Sequence, residues 1–194
     1  AQAEELARLV VGLALVRKKR RMSLADALPR LKALAEAAGE VEEKATADGC
    51  TPHETCLRVL HELGAAAAFH FAASSGHETC LRALHERAAA SLSEANAQGL
   101  TPAHFAARFG HESCLRALHE LGASLSAVDA DGWTPAHFAA SAGHADCLRA
   151  LHELGASLSA VDAVGWTPAN FAASAGHADC LRALHELGAS LSAV

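Results

Sequence analysis

The chain has 194 residues, enough for one domain with a substantial core. It contains no Tyr, one Met and 4% aromatic residues, and its 51% apolar fraction comes mostly from Ala and Leu, a composition that disfavours a β-sandwich and suits close-packed helices. A net charge of −6 and a pI near 6.1 exclude a global attraction to nucleic acid or anionic membrane, so any such contact must come from a local patch.

In chain order, the first candidate element is an apolar helix from Leu6 to Val16, followed by that local patch, Arg17, Lys18, Lys19, Arg20 and Arg21. Glu4, Glu5 and Arg8 precede or interrupt the apolar stretch and the basic run comes after it, which reverses the charge order of a secretory signal. It is also shorter than the roughly 20 residues of a spanning helix. Three readings of the patch stay open: contact with anionic lipid or nucleic acid, a nuclear-import signal, or cations placed at a helix C-terminus where the dipole favours them. Between residues 23 and 43, Ser23 can cap a helix, Pro29 breaks or restarts it, and Leu28, Leu31 and Leu34 form an apolar stripe before the acidic end at Glu40 to Glu43. Residues 1–47 are thus expected to be a helical extension that caps the open N-terminal edge of the remaining chain.

That remaining chain is periodic. Thr101, Thr134 and Thr167 recur every 33 residues, as do Cys114, Cys147 and Cys180, and the stretch from Val128 to Ala160 differs from that from Val161 to Ala193 only at Asp131/Val164 and His137/Asn170. A fixed period of this size decides architecture before local propensity does. Within one unit, Asp131-Gly132 supplies turn chemistry, Thr134-Pro135 an N-cap and a first helical residue, and Gly143 a stop. A second helix is expected from Ala145 to Leu154, with Cys147, Leu148, Leu151 and Leu154 at helical spacing and Gly155 ending it.

This turn, helix, helix unit resembles the ankyrin repeat in its Asp131-Gly-Trp-Thr-Pro-Ala-His137, its Ala139-Ala140, its Gly143-His144 and its Gly155-Ala156. The resemblance covers residues 100–194 in regular form and 48–99 in irregular form, and it implies an all-α solenoid of helix pairs with short turn-rich fingers. There are departures. Ala103, Ala136 and Ala169 stand where the family has Leu, offset by Phe105, Phe138 and Phe171 at the next core position. His119, His152 and His185 replace the second of two leucines, while Leu121, Leu154 and Leu187 replace polar residues. In the irregular part, Thr51-Pro52 runs directly into a second-helix sequence at His53-Glu-Thr-Cys56, and Ala65–Ala68 leaves no room for the usual finger.

The six cysteines track the repeat rather than forming close pairs, which points to a reducing compartment and against a disulfide framework. Cys and His recur together as His111/Cys114/His119, His144/Cys147/His152 and His177/Cys180/His185. Such spacing can hold zinc on a helix, but a Gly-His step and a small apolar residue are what the repeat itself uses there, so no metal, cofactor or catalytic role is assigned. By resemblance, His104 and His137 should hydrogen-bond the capping Thr or the adjacent finger, and Asn170 replaces the bond without the titration.

Also by resemblance, the finger tips and the outward positions of the first helices form a concave binding face. Here those positions are Gln98, Leu100, Arg108, Phe109, Asp131, Trp133, Ser141, Val164, Trp166 and Ser174. Trp and Arg are enriched among interface hot spots, although the two indoles could instead cover neighbouring fingers. The expected function is a non-catalytic protein-binding scaffold that needs no cofactor. The alternative is a structural subunit of a membrane-associated assembly held by residues 6–21; a third class is the targeting portion of an enzyme. The last unit keeps its internal-repeat sequence, so its outward face is expected to be apolar and covered by further repeats or a partner.

Overall fold

The computed structural model describes Cys56, residues 64–87 and residues 92–189. Eight helices occur among these residues: α1 Ala65–Ser74, α2 Glu78–Arg87, α3 Pro102–Phe109, α4 Glu112–Glu120, α5 Pro135–Ala142, α6 Ala145–Glu153, α7 Pro168–Ala175 and α8 Ala178–Glu186. The expectations for residues 1–47, including the apolar helix and the basic run, lie outside the described part.

Each regular unit folds from local chemistry. Thr101 and Thr134 take extended backbone as N-caps, Pro occupies the first helical turn, and the third residue of the helix reaches back in a capping box. Gly110 and Gly143 close these helices in the left-handed conformation with φ of 80° and 85°. The second helices begin after a single His, and Leu121 and Leu154 act as their C-caps.

The units stack in two rows. First helices pack on first helices in the order α1, α3, α5, α7, and second helices on second helices in the order α2, α4, α6, α8. Small residues allow the close approach of the first row, where Ala106, Ala139 and Ala172 are fully buried. Leu115 and Leu118, then Leu148 and Leu151, fill the space under the second row. Each such leucine contributes about 1.5–3 kcal/mol by leaving water. The Cys positions belong to the same core: Cys80, Cys114, Cys147 and Cys180 are at most 1% exposed.

The first described unit differs as its sequence indicates. Gly64, at φ +92°, leads straight into α1, so Ala65–Ala68 form helix rather than a finger. Of the three Phe expected at a core position, Phe105 is buried at 1% exposure and Phe138 packs against the same core from its edge. Phe138 and Phe171 are half-buried: each ring stands edge-on to the His of the preceding first helix, His104 and His137, and also meets Trp133 at the fingers.

Candidate protein-binding face

The fingers that precede α3, α5 and α7 are built by one side chain each. Asp129 Oδ1 accepts hydrogen bonds from the backbone N–H groups of Asp131 and Trp133, at 3.0 and 2.8 Å, and Asp162 Oδ1 does the same for Val164 and Trp166. Asn96 Oδ1 accepts from Gln98 and Leu100 in the first of the three. Neighbouring fingers are tied together by Ala130 N–H to the Gln98 carbonyl and Ala163 N–H to the Asp131 carbonyl. Gly132 allows this approach: a Cβ there would lie 2.9 Å from the Ala163 nitrogen, and its φ is +83°.

His104 and His137 lock each finger to the next. The Thr101 N–H donates to His104 Nδ1 at 3.0 Å, which leaves the proton on Nε2, and Nε2 donates to the Trp133 carbonyl at 3.1 Å. His137 repeats this between Thr134 and the Trp166 carbonyl. Burial lowers the pKa of both rings, against the opposing backbone bonds and the nearby charges of Asp129 and Asp162. Asn170 accepts from the Thr167 N–H and hydroxyl, at 2.9 and 2.6 Å, so the bond is kept and the titration lost, as the resemblance implies.

The expected face residues do not share one environment. Asp131 is exposed, Val164 is 77% exposed and Trp166 43% exposed, while Trp133 is half-buried against Phe138 and Phe171 with ring centroids 5.2 and 4.3 Å away. Leu100, expected on the face, is 7% exposed and belongs to the core cluster. Arg108 and Phe109 are half-buried at the end of α3, and the Arg108 guanidinium lies 5.9 Å from the Phe109 ring centre. Ser141 is half-buried and its carbonyl accepts from His177, whereas Ser174 and Gln98 are exposed.

One pocket of about 360 Å³ opens on this face, lined by Asp131, Trp133, Asp162, Ala163, Val164, Trp166 and Phe171. Phe171 is in ring contact with both indoles that line it, with centroids 4.3 Å from Trp133 and 5.2 Å from Trp166. From the sequence Phe171 reads as core. The signal that it also faces the fingers is its position four residues after Thr167, on the helical turn that a capping Thr aims at the finger.

The Cys/His pattern is architectural in the regular units. His111, His144 and His177 donate from Nε2 to the carbonyls of Ser74, Arg108 and Ser141 in the preceding unit, and His119, His152 and His185 are exposed on the second helices. Burial pushes the thiols of Cys114 and Cys147 up to about 12 and that of Cys180 to about 11, so they stay protonated and poorly nucleophilic at neutral pH. Cys56, His77 and Cys80 do converge, with donor atoms within 4.8 Å of one another. Three donors fall one short of the tetrahedral set of a structural zinc site, and burial raises the Cys56 thiol pKa as well.

Paired helices stacked in register, with capped fingers projecting from one edge, define a repeat solenoid that presents an extended surface. Family models described as "Ankyrin repeats (3 copies)" and "Ankyrin repeats (many copies)" match residues 121–194 and 69–119. The chain belongs to the ankyrin repeat family. No curated protein matches it. Ankyrin repeats generally mediate protein–protein interaction and are typically non-catalytic. Among the described residues no helix is long and apolar enough to cross a membrane.

Proposed function

We infer that the chain is a non-catalytic scaffold that binds a protein partner through the finger edge of its concave face, centred on Trp133, Val164 and Trp166. The observation that carries this reading is the juxtaposition of Val164 at 77% and Trp166 at 43% exposure beside a pocket lined by three aromatic side chains. Neither exposed side chain is needed to close the core, and large apolar groups grouped on a rim are characteristic of interaction sites. Arg108, Phe109 and Ser174 extend the same face along the first helices, and burial of the apolar rim supplies the driving force.

The test is cross-linked affinity purification from native extract with the unaltered chain and with a Val164→Lys/Trp166→Ala variant. Both sites are exposed, so circular dichroism should be unchanged. Capture of a partner by the first and its loss with the second is expected. Equal capture by both would place binding elsewhere and leave Trp166 as a finger cover.

A further inference from the structure

Three carboxylates lie on the two Trp-bearing fingers, and two are already used. Asp129 and the buried Asp162 each accept two backbone N–H groups of their own finger. Asp131 is exposed, and no described residue donates a hydrogen bond to its carboxylate or pairs with it. It stands at the rim of the pocket between Trp133 and Trp166. In the next unit, which is otherwise almost identical, the same position is Val164, so the pocket has an acid on one finger and an aliphatic group on the other.

We propose that this pocket takes one arginine side chain of the protein partner, its guanidinium stacked on the indoles and paired with Asp131, its methylene stem lying on Ala163 and Val164. The inference rests on the concave-face reading above. An aromatic wall attracts a cation through the ring quadrupole, and a carboxylate at the rim adds charge and hydrogen-bond direction. The flat faces of the indoles favour a planar, weakly hydrated guanidinium that can stack on them over a compact ammonium that holds its water firmly. The exposed Val164 gains a partner by the same arrangement, because a long basic side chain buries its stem on apolar surface while its head stays polar.

Trp133 and Trp166 are the only tryptophans of a chain without tyrosine, so intrinsic emission reports this pocket alone. The experiment is a fluorescence titration with a blocked pentapeptide carrying arginine between glycines, and with its lysine and citrulline counterparts. Saturable change with the arginine peptide is expected, at least about threefold weaker for lysine and about tenfold weaker for citrulline, which keeps the shape and loses the charge. Asp131→Asn, an exposed change checked by circular dichroism, should weaken the arginine peptide about fivefold.

Equal response to citrulline, an unchanged affinity in Asp131→Asn, or no saturable response to any peptide overturns the proposal. If the titration fails while Val164→Lys/Trp166→Ala still abolishes partner capture, the face binds a partner by other chemistry. If both fail, the concave-face reading falls as well.

Discussion

His137 and Asn170 occupy equivalent positions and show what a histidine adds. The imidazole spans from the Thr134 cap to the Trp166 carbonyl, while the shorter amide bonds its own Thr. Because burial lowers the pKa of His70, His104 and His137, the unfolded chain binds protons that the folded chain refuses. Their contribution is therefore fully present above the ordinary histidine value of about 6.5 and is lost as pH falls from there toward the lowered folded values. The melting temperature should drop between pH 7.5 and 5, and His137→Asn should make that drop shallower while costing about 1 kcal/mol at pH 7.5 for the lost inter-finger bond. An acid profile of equal steepness in the variant would show that His137 is not among the groups responsible.

A second residue-scale contrast lies at the finger-building position. Asp129 and Asp162 have only acceptors to satisfy, but Asn96, at 8% exposure, buries an amide nitrogen that has no hydrogen-bond partner among the described residues. Asn96→Asp keeps the Oδ1 bonds and removes the orphan donor. Thermal or urea unfolding should show a gain of about 1 kcal/mol.

At the scale of elements, the recurring Gly-His step has a packing cause. The His after one first helix is seated against the glycine that ends the preceding one: a Cβ on Gly110 would lie 2.7 Å from His144 Nδ1, and one on Gly143 2.9 Å from His177 Nδ1. The glycine is thus needed for its positive φ and for the space it leaves. Gly110→Ala should cost at least about 1–2 kcal/mol from the left-handed backbone alone, and more from displacing the His144 ring and its bond to Arg108. Denaturant unfolding measures it, and a cost below about 0.5 kcal/mol would mean that α4 and α6 slide to accommodate the methyl group. The second helices also carry an ion-pair ladder, in which Arg82 bridges Glu78 and Glu120 and Arg116 bridges Glu112 and Glu153. Arg149 pairs with Asp146 instead, since Ala145 replaces the glutamate one turn earlier. All of these pairs are solvent-exposed, so they orient the row more than they stabilise it.

For the molecule as a whole, a solenoid is held only by contacts between neighbouring units, so its stability need not be uniform along the stack. In the first described unit Ala65–Ala68 belong to α1, and His70 Nδ1 has no hydrogen-bond partner among the described residues, since Ala67 stands where the later units have Thr. The two indoles sit in the later, regular units. In urea, tryptophan emission should therefore report a later midpoint than far-ultraviolet ellipticity, which averages over all helices. Coincident midpoints would show that the irregular unit melts with the rest.

The 33-residue period, the capping Thr-Pro and the stopping glycines were legible in the sequence, since each depends on neighbours at fixed spacing within one or two units, and the family resemblance added the bonds of His104 and His137. The choice of face was less so. Leu100, Trp133 and Trp166 occupy one sequence position, yet the first is core, the second half-buried and the third exposed. The sequence by itself determined the class of fold and the residues that repeat, because a solenoid translates local pattern directly into structure. Only the tertiary structure decided which copies of a repeated residue face solvent, and that Phe171, Asp131 and Val164 meet at one pocket, because both depend on which unit lies beside which.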